Sequence, residues 1–512
     1  MSDPAENPRA APPGGTGRHR LRLRRWWVAA ALAGAVVFVG ALPSLPPGVR
    51  NWDNQVKLQV TRNILQGKGP VLTEKTPADD YYVHLGKDGQ SYTSYLPVAF
   101  LLQVPTLAMA ALGVVAEGIS ALVLLAIMAA ALVGWGRSAG VTIPAAMTGA
   151  LLVCVATPLW PMTAHGYDNL VDALGLLAIL WAGTGPRKES AWAVAGLVVG
   201  AALAARLSTV LLVVPAAVLL LAQGPRTTRS VAGSALGFAA GCLPGVLLIL
   251  WFNAYRFGSP FVVHTVTRQG AMDQLVEPWF SPPDWVGMAG LTVSFGKGLF
   301  WYAPVLLGVL VLARPLLRRF GAAMVGLGAY AVVAVVFFGR LKFWHGDWTW
   351  GPRYLAPLCI AAAPLGWIAW EKLLASGRPA RVAAAVAVSM LVLIQVVPVV
   401  SYPIESYFAF TLSPLSAEGR LVTRPITAPP LPADTHLLYF RLENAPIVRL
   451  AENFPALLAN PMAGPRVRAK LAWTALLPAL ALASLLLAAR GQGGSGPAGP
   501  GAARGPGDDP PP

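Results

Sequence analysis

The chain has 512 residues, of which 55% are apolar and 12% are charged, and its mean hydropathy is +0.57. Because soluble domains carry about 25% charged residues, this composition excludes a soluble enzyme, a disordered protein and a secreted disulfide scaffold. We therefore predict an all-α, polytopic membrane protein. The net charge of +16 does not indicate a nucleic-acid partner, since most arginines stand between apolar runs, as they do in membrane proteins. The three cysteines lie within apolar runs and show no metal-ligand spacing.

Both ends of the chain are predicted to be disordered and to lie in the cytoplasm. Residues 1–25 begin with a segment rich in Pro, Ala and Gly and continue into a basic stretch before the first apolar run. No clear signal-peptidase site follows that run, so we interpret it as a retained helix. Residues 490–512 are rich in Gly and Pro and form the second disordered segment.

The apolar runs between residues 26 and 489 predict a transmembrane domain of about 12 helices, each ~20 residues long. They lie near 26–43, 118–136, 141–159, 168–184, 191–205, 207–223, 231–252, 299–313, 321–339, 354–370, 381–400 and 471–489. Three long outer loops result, at 44–117, 253–298 and 401–470. The run 96–112 contains Pro97 and Pro105, and we interpret it as a helix at the membrane interface.

The charges of the short loops set the predicted orientation. If 96–112 is not a span, every second gap between spans is basic and falls in the cytoplasm, together with both termini. The basic residues of these gaps are Arg137, Arg187, Lys188, Arg226, Arg229, Arg314, Arg318, Arg319, Lys372, Arg378 and Arg381.

The first outer loop is predicted to begin with an amphipathic helix lying on the outer surface. Asn51 or Asp53 can cap it, and the apolar residues Val56, Val60 and Ile64 recur every four positions. Gly67 can end it.

Several cations stand where a helix enters the membrane from outside, at the positive end of the helix dipole. Arg206, Lys297 and Arg353 occupy such positions, and Arg340 lies in the same short outer loop as Arg353. Either each side chain snorkels to lipid head groups, or together they bind an anion. A phosphate or pyrophosphate group is the anion expected at the outer face.

The loop that contains Arg353 is rich in aromatic residues. Trp344, Trp348 and Trp350, with Tyr354, form either an interfacial belt or a stacking surface for a sugar or a polyprenyl chain. His345 and Asp347 could bind a divalent metal together with His165 and Asp168, but two separated pairs are a weak signal and no dedicated metal site is evident.

Asp168 and Asp172 are four residues apart and therefore share one helix face. Asp172 falls inside an apolar run, where a carboxylate indicates function by default. The alternative is a structural contact with a neighbouring helix or with an arginine such as Arg206.

These features resemble those of bacterial GT-C-type membrane glycosyltransferases, and most closely those of the protein O-mannosyltransferase-like group, family 39. The resemblance rests on an acid in the first outer loop, an interfacial segment before the second span, an acid between spans three and four, and the stretch WTWGPRYL at 348–355. The stretches NAYRFGSPF and SFGKGLFWYAPVLL are similar to further bacterial members. The resemblance covers roughly residues 26–370.

The resemblance implies an inverting, metal-independent transfer of a sugar from a polyprenyl-phosphate donor, at the outer face of the bacterial inner membrane. It implies that Asp53 is the general base on an acceptor hydroxyl, with Asp168 assisting. The acceptor is a glycan, a lipid or a protein. Because Asn54 stands where the mannosyltransferases have a second acid, the resemblance does not extend to protein O-mannosylation. The cations that would bind the donor phosphate are Lys297, Arg353, Arg206, Arg256 and Arg340.

Three other functions remain open at this stage. An O-antigen ligase or polymerase would place its catalytic loop at 401–470. A lipid or polysaccharide flippase or carrier would have several charged residues deep in its spans. A non-catalytic scaffold would need no catalytic site. The glycosyltransferase interpretation predicts that Asp53, Asp168, Lys297 and Arg353 converge on one outer site, although they are far apart in sequence.

Overall fold

A computed structural model describes residues 15–49, 51–74, 83–185, 189–222, 228–262, 284–341, 344–346, 349–400, 439–442, 445–459 and 468–473. Within these ranges the chain is all-α apart from one small hairpin, in which β1 (Val83–Leu85) pairs antiparallel with β2 (Ser91–Thr93). The predicted disordered segment 1–25 is described only from residue 15, and residues 15–25 are helical rather than disordered, because they continue the helix Gly15–Ala41. The predicted disordered segment 490–512 and most of the loop 401–470 lie outside the described residues.

The described residues form eighteen α-helices that pack against one another. In chain order they are α1 (Gly15–Ala41), α2 (Trp52–Leu65), α3 (Pro97–Leu101), α4 (Val104–Ala111), α5 (Ile119–Ser138), α6 (Ile143–Val155), α7 (Leu159–Ala164), α8 (Leu170–Thr184), α9 (Glu189–Leu203), α10 (Val213–Ala222), α11 (Thr228–Phe257), α12 (Asp284–Val293), α13 (Leu299–Tyr302), α14 (Val305–Val311), α15 (Ala313–Gly339), α16 (Ala362–Ala375), α17 (Arg378–Val400) and α18 (Pro446–Ala459). Short 3-10 helices at Leu207–Leu212 and Arg353–Ala361 lead into α10 and α16.

Among the described residues, six helical segments are long and apolar enough to cross a membrane, which makes the chain a multi-pass membrane protein. They are Leu23–Ser44, Ile119–Ser138, Ser230–Phe257, Ala313–Gly339, Arg353–Ala375 and Arg378–Val400, and each overlaps a predicted span. The predicted spans 141–159, 168–184, 191–205, 207–223 and 299–313 contain shorter helices, and 471–489 is described only to residue 473. The total of 12 spans therefore stays a prediction.

The run 96–112 forms two short helices rather than a span. The helices α3 and α4 have 5 and 8 residues, and neither is long enough to cross a bilayer. The polar side chains of Thr106 and Ser120 join α4 to the start of α5 through a hydrogen bond of 2.7 Å.

Predicted cytoplasmic residues meet at one end of the bundle. The guanidinium of Arg319, near the start of α15, donates to the carboxylate of Glu371, near the end of α16. Arg381, in the first turn of α17, donates to the carbonyl oxygens of Leu373 and Leu374 at 3.1 and 3.0 Å. The opposite ends of α15 and α16 border the loop that carries Arg353.

The helices α9 and α11 pack at very short range along a row of glycines. A Cβ atom on Gly241 would lie 2.2 Å from the carbonyl oxygen of Ala193, and one on Gly245 would lie 2.1 Å from that of Gly200. Glycine recurs on α11 at every fourth residue from 233 to 245, so the row lies on one helix face. Small residues at this spacing let helix backbones approach closely within a membrane.

The helix α2 has the predicted ends but not the predicted surroundings. The side chain of Asn51 caps it by accepting a hydrogen bond from the Asp53 amide at 3.0 Å, and the chain reverses just after it at Gly67, where φ is 73°. Val56 and Val60 are buried as predicted, whereas Ile64 is exposed.

The prediction that α2 is an amphipathic helix lying on the outer surface is wrong, because five of its polar side chains are buried as well as its apolar ones. These side chains are Asn54, Lys57, Gln59, Thr61 and Asn63. Neighbouring segments cover and bind them: Thr61 donates to the carbonyl of Phe100, and Asn63 donates to that of Val71, at 3.0 and 2.8 Å. The helix is therefore an internal element at this end of the bundle.

Candidate functional site

Four buried or half-buried ionic side chains meet where α2 packs against the bundle. Lys57 comes from α2, Asp168 from the turn before α8, Asp172 from the first turn of α8, and Arg206 from the turn after α9. We call these four residues the charged cluster. They lie at the end of the bundle opposite to Arg319 and Glu371.

Asp168 is the centre of this cluster. One of its carboxylate oxygens, Oδ2, accepts from the Lys57 ammonium at 2.7 Å, and the other, Oδ1, accepts from the guanidinium of Arg206. Burial raises the pKa of Asp168, but the charges of Arg206 and Lys57 more than offset this effect and hold the pKa below its usual value. Asp168 is therefore ionised at neutral pH and is a poor proton acceptor.

Asp172 lies one helical turn further along the chain. Its Oδ2 atom accepts from Arg206 Nε at 3.3 Å and from the Ser208 hydroxyl at 3.0 Å, and its Oδ1 atom accepts from the Thr209 hydroxyl. The structural alternative for this carboxylate, a contact with Arg206, is confirmed. Two carboxylates and two cations leave the charged cluster formally neutral.

Arg353 adds a third cation next to the charged cluster. Its guanidinium lies 5.6 Å from the ring centroid of Tyr167 and 5.1 Å from that of Tyr354, and it donates to the Tyr354 hydroxyl at 3.3 Å. It is within electrostatic range of Arg206. Gly346, at φ 64°, lets the loop backbone approach the Arg353 side chain, where a Cβ atom would lie 2.9 Å from Cγ.

Asp53 occupies the first turn of α2 and is partly exposed. It precedes Lys57 by four residues, so the two side chains lie on the same helix face, with Cβ atoms about 5–6 Å apart. In the part of the chain that the structure describes, the Asp53 carboxylate takes part in no hydrogen bond or ion pair. It is thus the one candidate acid whose lone pairs are available.

Lys297 is fully buried behind the Arg353 loop. Its ammonium donates to the carbonyl oxygen of Thr349, and the Thr349 hydroxyl donates to the carbonyl oxygen of Gly346 at 3.2 Å. Gly346 in turn contacts Arg353. Contacts therefore lead continuously from Lys297 through Arg353 and Tyr167 to the charged cluster, but Lys297 supports the loop from within.

Arg256 binds backbone and amide oxygens rather than the carboxylates of the charged cluster. The buried guanidinium of Arg256 donates to the carbonyl oxygens of Thr93 and Tyr95, and to Asn253 Oδ1 at 2.9 Å. It thereby fastens the hairpin segment to the end of α11. Arg340 is exposed at the end of α15. A phosphate-binding role for these two residues stays a prediction.

The predicted aromatic surface is mainly core. Trp344 and Trp350 are buried, and the Trp350 ring meets Tyr302 edge-on at 4.8 Å while its indole N–H donates to Gln395 at 3.3 Å. Tyr354 stacks on Phe338 at 4.6 Å and keeps its hydroxyl at Arg353. Trp348 lies outside the described residues.

The predicted metal ligands do not come together among the described residues, where no three His, Cys, Asp or Glu side chains are grouped to hold a metal ion. Burial and the charge of Lys470 lower the pKa of His165 to about 3, and His345 stacks on Tyr439 with ring centroids 5.0 Å apart. Asp347 lies outside the described residues.

Lys57 and Tyr167 are the site residues that sequence reasoning missed. Lys57 follows Val56 directly and precedes Val60 by three residues, so it flanks the apolar stripe of α2. A lysine at such a position was a signal for a buried cation. Tyr167 directly precedes Asp168, and no feature of the sequence around it predicts a contact with Arg353.

Comparisons with protein-family models and with curated protein sequences find no match for this chain.

Proposed function

We propose that the chain is a membrane glycosyltransferase of the GT-C type. It transfers a sugar from a polyprenyl-phosphate donor to an acceptor hydroxyl on a glycan, lipid or protein, by a metal-independent inverting displacement. The site lies on the outer face of a bacterial cytoplasmic membrane, with twelve spans and both termini in the cytoplasm. The observation that carries the proposal is the Asp53 carboxylate, which makes no hydrogen bond or ion pair among the described residues and lies one helical turn before Lys57 of the charged cluster, with Arg353 next to that cluster.

Asp53 acts as the general base in this proposal. Its carboxylate takes the proton of the acceptor hydroxyl while the hydroxyl oxygen attacks the anomeric carbon from the face opposite to the phosphate. The bond between the anomeric carbon and the phosphate oxygen breaks, and the polyprenyl phosphate leaves with the electron pair. A single displacement inverts the anomeric centre and needs no protein nucleophile.

Arg353 and Arg206 stabilise the charge that grows on the leaving phosphate. The aromatic rings of Tyr167 and Tyr354 hold the Arg353 guanidinium, and two carboxylates hold that of Arg206, so both cations are oriented before the donor binds. Because Asp168 is ionised and paired with two cations, it orients these groups rather than accepting a proton.

The test is sugar transfer by the purified protein, offered a panel of polyprenyl-phosphate sugars and membrane-extract acceptors. We expect wild type to release polyprenyl phosphate, and Asp53→Asn to release it ~10²–10⁴-fold more slowly, the range typical of general-base catalysis. Glu74→Gln is the matched control, because Glu74 is an exposed carboxylate of the same outer segment outside the charged cluster.

Equal release by wild type and a folded Asp53→Asn protein would remove Asp53 from the chemistry. Failure of folded wild type to release polyprenyl phosphate from any donor would contradict the proposal and favour the ligase or carrier function.

A further inference from the structure

Two side chains of α2 dock this helix on the turn before α8. The Asn54 amide donates to the carbonyl oxygen of His165 at 3.3 Å, and the Lys57 ammonium binds Asp168 at 2.7 Å. The turn approaches α2 closely at Gly166, where φ is 69° and a Cβ atom would lie 2.4 Å from Asn54 Nδ2. Contacts three residues apart on one helix face fix the rotation of the helix about its axis.

The rotation of α2 determines where Asp53 points. Asp53 directly precedes Asn54 and lies one turn before Lys57, so its carboxylate is carried by the same docked turn. The carboxylate itself makes no hydrogen bond or ion pair among the described residues. Its position is therefore set through its neighbours on α2.

Burial of the Lys57 ammonium costs desolvation free energy that docking α2 through apolar side chains would avoid. It is 2% exposed, and its ammonium lies 4.4 Å from the ring centroid of Tyr95. A buried ion pair often stabilises a protein no more than a well-packed apolar pair would. What the ion pair adds is a link to Arg206, which binds the other oxygen of the same Asp168 carboxylate.

We propose that Lys57 is a positioning residue for the transfer reaction, an inference that rests on the function proposed above. The bridge from Lys57 through Asp168 to Arg206 joins the helix that carries the base to the cations that hold the leaving phosphate. It thereby sets the distance between the acceptor hydroxyl and the donor. A misplacement of about 1 Å between reacting groups can slow an enzyme ~10²-fold.

The experiment compares Lys57→Met, which removes the ammonium, with Lys57→Arg, which keeps the charge. Lys68→Met is the matched control, because Lys68 is exposed just after the end of α2. Two readouts are taken on the purified full-length protein: kcat and KM for sugar transfer, and hydrogen exchange of the amides of α2 and of residues 165–172. We expect Lys57→Met to lower kcat ~10²-fold with little change in KM. We also expect faster exchange in both segments, and both effects to be largely reversed in Lys57→Arg.

A double variant, Lys57→Met with Asp168→Asn, separates positioning from folding. It removes both partners, so no buried ammonium is left unpaired and Arg206 keeps Asp172. The reference for its activity is Asp168→Asn alone, which has already lost the bridge. If Lys57 positions Asp53 through Asp168, Lys57→Met lowers kcat in the wild type but not further in the Asp168→Asn protein. If Lys57 serves folding alone, folded Lys57→Met has the kcat of wild type.

An unchanged kcat in Lys57→Met, or exchange of α2 equal to that in Lys68→Met, would overturn the positioning role. If wild type shows no transfer while Lys57→Met still loosens α2, the proposed reaction fails and the docking role of Lys57 stands as structure only. The exchange measurement thus distinguishes the two failures.

Discussion

The α9–α11 contact and the charged cluster both hold distant parts of the chain together, and they do so by opposite means. Along α9 and α11, glycines bring two helix backbones together, and Gly241 and Gly245 face backbone carbonyl oxygens. In the charged cluster, one carboxylate binds two cations that come from other elements. Close packing of glycine costs little desolvation, whereas burying four ionic groups costs a great deal.

The difference indicates where function lies. A membrane protein can join its helices with small residues alone, as α9 and α11 do, so a network of buried ions is not needed to close the bundle. Ionisable groups within membrane proteins generally mark functional sites. Substitutions in each region test this difference.

The largest loss of stability is expected from Asp168→Asn. The substitution leaves the Lys57 ammonium buried without its carboxylate, and removal of one partner of a buried pair costs about 3–5 kcal/mol of the free energy of unfolding. Glu371→Gln is the control at the other end of the bundle, where the ion pair with Arg319 is partly exposed, and it should cost less than about 1 kcal/mol. Thermal unfolding in detergent measures both.

The lowered pKa of Asp168 fixes the sign of the pH effect on this stability. The contribution of the ion pairs is fully present above the ordinary carboxylate pKa and is lost only as the pH falls through the lowered pKa of the folded protein. The difference between wild type and Asp168→Asn should therefore be constant between about pH 6 and 8. A difference that disappears within that range would show that Asp168 is not held ionised.

A smaller loss of stability is expected from Gly241→Leu. The new side chain would meet the backbone of α9, and overpacking of this kind typically costs about 1–3 kcal/mol. Gly328→Leu is the matched control, because Gly328 is a helical glycine at which an added Cβ atom would meet nothing within 4 Å. Equal thermal stability of the two variants would contradict the close contact between α9 and α11.

The membrane-spanning character of the chain was predictable because the length of an apolar run is a local property. The six long apolar segments coincide with predicted runs, and the break at 102–103 agrees with the prolines of 96–112. The contact between Asp172 and Arg206 was also foreseen, because a carboxylate in an apolar run needs a partner.

The pairing of Lys57 with Asp168 could not be predicted, since it joins residues 111 positions apart and neither has a sequence pattern that selects the other. The burial of Trp344 and Trp350 could not be predicted either, because interfacial and core tryptophans have no distinguishing sequence pattern. Tertiary contacts decide both cases.

In the proposed reaction, Arg353 and the charged cluster hold a lipid phosphate while Asp53 takes the proton of the acceptor hydroxyl. The most direct measurement is equilibrium binding of polyprenyl phosphate to wild type, Asp53→Asn and Arg353→Gln in lipid nanodiscs. We expect Asp53→Asn to bind within about threefold of wild type and Arg353→Gln to bind ~10–100-fold more weakly, because hydrogen bonds to a charged group contribute about 1.5–3 kcal/mol. If Arg353→Gln binds polyprenyl phosphate as tightly as wild type does, Arg353 does not hold the donor phosphate.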